Sequence, residues 1–289
     1  MRIILVHGRS QGGKNAEELR LFWAWCLDKS FRDAGLSLPT GTEVVLPFYA
    51  DDLDRLVAQV NTPLVTDILL RGEKNVSSRE VLRVEILREM LDAKGISDEK
   101  VLVGFQGQPL ERGPQNWPWV LAMLKALDST PLGAHAIDSV TRDVCVYLTF
   151  LGIREKIDAI VRDAIPEDRC VVVAHSLGTV VAYNVLSTGP RGSTDVSLFL
   201  TLGSPLGIQA IASRLNKPLA TPPGVKNWLN ARDPRDVVAL YPLDQDHFDV
   251  RPAIKNDSRV DNFTENRHSI EGYLADREVA RRIHAALSA

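Results

Sequence analysis

Apolar and polar positions follow two rhythms along the chain. Short β-rich apolar runs, Ile3 to Val6, Glu43 to Phe48, Val171 to Ala174, Val196 to Leu202 and Val225 to Ala231, have the length and residue types of strands. Runs apolar at every position belong in a parallel sheet buried on both faces. Between them lie helically spaced segments near 16 to 34, 137 to 165, 177 to 188, 207 to 215 and 269 to 288. In the last, Val279, Ile283, Ala286 and Leu287 fall at i, i+4, i+7 and i+8, with Arg277, Glu278, Arg281 and Arg282 on the other face. The alternation predicts an α/β fold, a mostly parallel sheet with helices on both faces.

Residues 51–135 interrupt this rhythm. They hold an amphipathic segment, Arg79 to Leu91, a Gly/Pro-rich stretch, Gly104 to Pro118, and the apolar Trp119 to Leu127. A structureless loop of that length is uncommon inside a domain. The segment reads as a partly helical cap inserted into a core made of 1–50 and 136–289.

Composition narrows the class of protein. Of 289 residues, 45% are hydrophobic and 25% charged, the balance of an ordinary globular chain. Thirty-four Lys plus Arg against 37 Asp plus Glu leave a net charge of -3, which gives no bulk attraction for nucleic acid. The apolar run after Met1-Arg2 is too short for a signal-peptide core, and none approaches the roughly 20 residues that would span a bilayer. Cys26, Cys145 and Cys170 are far apart, form no C-x-x-C pair and read as reduced core residues. A cytoplasmic protein without an integral membrane segment is the expectation.

Two stretches carry the chemistry. The first, VVVAHSLGTVVAYNVL (171–186), is a buried strand, a sharp turn at Ser176 and a helix. Small residues two before and two after the serine, Ala174 and Gly178, suit a turn so tight that a larger Cβ would strike neighbouring backbone. The alternative use of Ser176 is as a helix N-cap, which needs neither the Gly178 spacing nor the strand. The second stretch, VHGRSQGGKN (6–15), fits the phosphate-loop template through Gly8, Gly13 and Lys14. Position 15 is Asn, where that template needs a magnesium-binding Ser or Thr, and no clean apolar strand ending in Asp follows.

The 171–186 stretch resembles the nucleophile elbow G-x-S-x-G of the α/β-hydrolase superfamily, of the lipase and esterase kind, with Ala174 in place of the first Gly. The resemblance covers about residues 1–50 and 136–289. It implies that Ser176 is a nucleophile and that the general base is His268, in the polar loop TENRHSIEGYL before the last helix. It places the acid in NWLNARDPRDVVAL, where Asp233 at the strand end is preferred and Asp236 stands close behind in an Asp-x-Val pattern. It also makes His7-Gly8 the oxyanion loop, with the backbone N–H groups of Arg9 and Leu177 as donors. The implied activity is hydrolysis of a carboxylic ester, with an acyl or lipid ester as substrate and no cofactor. Thioester or amide hydrolysis and acyl transfer use the same groups; an idle hydrolase-like binding protein is a second class, and a nucleotide-binding protein with GRSQGGK as its phosphate loop a third.

Three further features are weighed. Asp244, Asp246, His247 and Asp249 lack the spacing of a calcium loop and read as a solvated acidic loop. Trp117 and Trp119 read as core rather than as the wall of an acyl pocket. The guanidinium of Arg9, beside the oxyanion loop, carries a separate expectation, pairing with a carboxylate or phosphate on the substrate.

Overall fold

The computed structural model describes residues 1–9, 12–61, 78–103, 117–189 and 194–289. Strand β1 (Arg2–Val6) leads into helix α1 (Ala16–Asp33), β2 (Glu43–Val45) and α2 (Ala50–Asn61). Helices α3 (Ser78–Ala93), α4 (Asp98–Val103) and α5 (Trp117–Leu127) precede α6 (Ala134–Thr149) and α7 (Leu151–Ala164). Strand β3 (Cys170–His175) then runs into α8 (Leu177–Thr188) and is followed by β4 (Val196–Leu202). A 3-10 turn at Pro205–Gly207, α9 (Gln209–Ala212), β5 (Trp228–Ala231), β6 (Lys255–Asp257), α10 (Ile270–Leu274) and α11 (Arg277–Ser288) complete the chain.

The strands form one sheet in the order β2-β1-β3-β4-β5-β6, and every neighbouring pair is parallel. Parallel neighbours cannot be joined by a tight hairpin, so each connection crosses over outside the sheet. From β1 the chain goes to one side for β2 and then returns to the other side for β3. The carboxyl ends of β1 and β3 therefore flank the reversal of strand order, which is where open α/β sheets form a crevice.

Alternation along the strands divides the core in two. Ile3, Leu5, Val171, Val173, Leu200 and Leu229 face one side, where Trp23, Leu27 and Phe31 of α1, Tyr273 and Leu274 of α10 and Ile283 and Leu287 of α11 cover them. Ile4, Val6, Val172 and Ala174 face the other, beneath Val144 of α6, Ile157 of α7 and Val180 and Val181 of α8. Each such aliphatic side chain contributes about 1.5–3 kcal/mol on burial. The expected layering on both faces is therefore present. Within 51–135, the described residues form α2 to α5, and Leu82, Leu87, Met90, Trp119 and Met123 join the same apolar cluster as Ile4 and Val172.

Several expected boundaries differ. The strand expected over 43–48 is paired only at Glu43–Val45, and that expected over 225–231 only at Trp228–Ala231, with an isolated bridge at Val225. The helix expected over 137–165 is two, parted at Phe150, whose backbone is extended (φ -106°, ψ 99°). The last helical segment is also two, because the Asp276 carboxylate accepts from the N–H groups of Glu278 and Val279 and starts a new helix. Strand β6 was not anticipated: KND is short and polar. The Gly/Pro-rich stretch lies, for 104–116, outside the described residues. Among the described residues no helix is long and apolar enough to cross a membrane.

Candidate active site

Strand β3 delivers Ser176 to the carboxyl edge of the sheet. The ladder continues to His175, opposite Leu202, and the N–H of Ser176 donates to Leu202 O (3.0 Å). The chain then reverses into α8, with Ser176 at φ 55° and ψ -130°, a region unfavourable for a residue with a Cβ. Close packing holds it there. A Cβ at Gly178 would lie 2.4 Å from Val6 O and 2.5 Å from His7 O, so only glycine lets α8 start this near β1. The Ser176 hydroxyl makes no capping bond to α8. The alternative use of Ser176 as a side-chain N-cap is thus not taken up.

The hydroxyl meets His268 instead. Ser176 Oγ and His268 Nε2 are 2.9 Å apart, and His268 Nδ1 is 2.7 Å from Asp236 Oδ2. All three side chains are buried. With Nδ1–H donating to the carboxylate, Nε2 of a neutral ring is left to accept from the Ser176 O–H. Asp236 also accepts from the Tyr273 hydroxyl (2.6 Å) and the Val238 N–H (2.8 Å). Burial, the largest influence, pushes the Asp236 carboxyl upward, but His268 and these donors together hold it below its ordinary value. It therefore stays a carboxylate.

The preference for Asp233 over Asp236 is corrected by this geometry. Asp233 opens a turn after β5: its Oδ1 accepts from the N–H of Arg235 (2.8 Å) and its backbone carbonyl from the N–H of Asp236 (3.0 Å). That turn carries the chain over, so it is Asp236, three residues on, that arrives behind the imidazole. The Asp233 carboxylate is filled by Arg235 Nε and Nη2 (3.1 and 3.0 Å) and the N–H of Asn262 (2.9 Å). Its carboxyl, raised by burial first, is brought below its ordinary value by Arg235 and Asn262. Arg235 also reaches Asp261, so Asp233 ties the acid turn to the loop that bears His268.

The loop after β1 lies against the elbow. A Cβ at Gly8 would come within 2.7 Å of the Ser176 Cβ. His7 is buried, and burial lowers its pKa to about 4, so it is neutral at ordinary pH. The Tyr49 N–H donates to its Nε2 (3.1 Å), which leaves Nδ1–H to donate to Gly8 O (2.7 Å). The Tyr49 hydroxyl donates to His7 O. Because a trans peptide sets C=O and N–H in opposite directions, turning Gly8 O to His7 turns the Arg9 N–H away from it. The N–H of Leu177, in the first turn of α8, has no acceptor within that helix. These two amides are the expected oxyanion donors.

One expectation about this loop changes. The Arg9 guanidinium donates from Nε to the buried carboxylate of Asp143 on α6, so its charge is met within the protein rather than held for an anionic substrate. Of the phosphate-loop stretch, residues 10 and 11 lie outside the described residues. The Gly13 N–H donates to Asp51 (2.8 Å), and Asn15 caps α1 through the amides of Glu17 and Glu18. The Asp51 carboxylate thus takes an amide that the template would turn to a phosphate, and Asn15 fills the N-terminus of α1.

Of the remaining candidates, Trp119 is fully buried, as read, while the side chain of Trp117 lies outside the described residues. Asp244 closes its own turn by accepting from the N–H groups of Asp246 and His247 and from His247 Nδ1 (2.8 Å). The thiols of Cys26, Cys145 and Cys170 are buried, and burial pushes each up to about 12. Sequence reasoning missed Tyr273, the side-chain role of His7 and the contact of His175 described below. Tyr273 alone left a signal, standing five residues after His268 on the helix that follows it. No family model, curated protein or solved structure matches the chain.

Proposed function

We propose that the chain is a serine hydrolase of carboxylic esters built on an α/β-hydrolase fold. The observation that carries this reading is the continuous buried chain from Ser176 Oγ through His268 to Asp236, at the carboxyl end of β3 beside the reversal of strand order. The order along the sequence, nucleophile after β3, acid after β5 and histidine after β6, also supports it.

In this reading His268 Nε2 takes the proton of Ser176 Oγ as the oxygen attacks the ester carbonyl. The new C–O bond pushes the carbonyl electrons onto oxygen, where the N–H groups of Leu177 and Arg9 and the positive end of α8 receive the charge. Asp236 holds the ring in the tautomer that can accept the proton and stabilises the imidazolium. His268 then protonates the departing alcohol, and water, deprotonated by the same ring, releases the acyl group from Ser176. Loss of one oxyanion donor costs such a reaction roughly 100- to 1,000-fold in turnover.

A fluorophosphonate probe tests the reading. Labelling at Ser176 that vanishes in Ser176→Ala and His268→Ala is expected; a folded wild-type chain that takes up no label sinks it. A matched series of esters, thioesters and amides of rising acyl length then names the preferred substrate, for which an acyl or lipid ester is proposed.

A further inference from the structure

His175 stands beside the nucleophile and does not touch the reacting atoms in the scheme above. Its Nε2 lies 2.8 Å from the backbone carbonyl oxygen of His268, and since a carbonyl only accepts, the ring donates this bond. The two imidazoles sit 4.8 Å apart, tilted by 37°. Trp23 meets the His175 ring edge-on at 6.3 Å, Tyr273 lies 5.8 Å away, and β3 fixes its backbone. The ring is buried, and burial with the nearby His268 lowers its pKa to about 3, so it is neutral and has one N–H to give.

Beyond the ring's bonds to Asp236 and Ser176, the other main-chain bonds around His268 show what this one adds. Asn266 Oδ1 accepts from the N–H of His268 (3.0 Å) and of Ser269 (3.0 Å), and Arg267 just before them has φ 56°. Those contacts are internal to the loop and do not say how far it stands from Ser176. The His175 bond does, because its donor is covalently next to the nucleophile.

Resting on the hydrolase reading, we infer that His175 is a positioning residue: its imidazole N–H grips the His268 main chain and sets the distance of that ring from the Ser176 hydroxyl. A misplacement of about 1 Å at a reacting pair costs on the order of a hundredfold.

The test compares His175→Gln, whose amide N–H reaches the position of Nε2, with His175→Asn, whose amide stops near Nδ1, and with His175→Leu. The rate of fluorophosphonate labelling at Ser176 is expected to stay within about threefold of wild type for Gln and to fall tenfold or more for Asn and Leu. Urea midpoints of the Gln and Asn variants are measured alongside, so that the pair decides even if the Leu variant fails to fold. Equal rates for Gln and Asn, whether both fast or both slow, overturn the inference. A second readout needs no reaction: the low-field proton resonance of His268 Nδ1–H, assigned by its loss in His268→Ala. It should persist in Gln and shift or broaden in Asn, and an unchanged resonance in Asn also overturns the inference. A wild-type chain that shows this resonance pattern but takes no label defeats the hydrolase reading and leaves the positioning role standing.

Discussion

Asp233 and Asp236 are both buried carboxylates in one turn, yet their partners differ in kind. Asp236 meets the imidazole and Asp233 meets a guanidinium, so the same substitution has opposite consequences at the two positions. Asp236→Asn leaves the packing in place but no longer secures the Nδ1–H tautomer, and turnover should fall about 10,000-fold. Asp233→Asn loosens Arg235 and the Asn262 amide; turnover should drop less than tenfold while stability falls by about 1–3 kcal/mol. Steady-state ester hydrolysis and urea melts on both variants separate the roles, and a reversed pattern would overturn the assignment. The elbow supplies a second expectation at this scale. In Gly178→Ala the new methyl meets two backbone oxygens that cannot swing aside, at 2.4 and 2.5 Å, so a loss of 2 kcal/mol or more is expected in urea. Ser176, Gly178 and His7 could be read from the sequence because their spacing and flanking elements are local, and His268 because the resemblance implies a histidine in the loop before the last helix. The choice of acid could not, since it depends on how many residues the Asp233 turn consumes before the chain faces the ring.

Elements with long runs were the legible ones. Strands β3 and β4 and helices α1, α3 and α8 carry enough periodic positions to declare themselves, and each stands close to where the pattern places it. Short or polar elements escaped. Strand β6 forms only because β5 offers it an edge, and the break at Phe150 has no proline or capping side chain to announce it. Helix α9 shows how one element depends on another across the chain. It is a four-residue helix whose first amides, Gln209 and Ala210, donate to the Glu89 carboxylate on α3 at 2.9 and 2.7 Å. Glu89→Ala should therefore cost about 1–2 kcal/mol, as loss of a cap does, and hydrogen exchange at residues 209–212 should quicken. Unchanged exchange there would show that α9 holds itself.

At the scale of the whole molecule, the two neutral histidines beside the elbow make stability depend on pH. His7 and His175 titrate near 4 and 3 in the folded chain, against about 6.5 when unfolded. Their folded values are the lower ones, so the unfolded chain binds more protons as pH falls from about 6.5 toward 4. The stability they contribute is present above pH 6.5 and is lost on the way down, each at about 1.4 kcal/mol per pH unit. Asp143 and Asp158, raised by burial, bind protons more readily folded than unfolded and so oppose this loss as pH falls. Urea melts between pH 6 and 5 should show the decline, and His175→Gln should flatten it by the slope of one proton; an unaltered slope would exclude His175 as a source.

The distance along the chain between Ser176 and His268, 92 positions, has a consequence for the protein as it is made. At 5–20 residues per second a ribosome needs on the order of ten seconds to travel from one to the other. On the proposed hydrolase reading, until β5, β6 and the following loop dock the nascent polypeptide carries at position 176 an alcohol with no base beside it. Uptake of an organophosphorus reagent would therefore count molecules that have finished assembling, and an antibody against the elbow, buried in the folded protein, would count after denaturation every chain extended past residue 178.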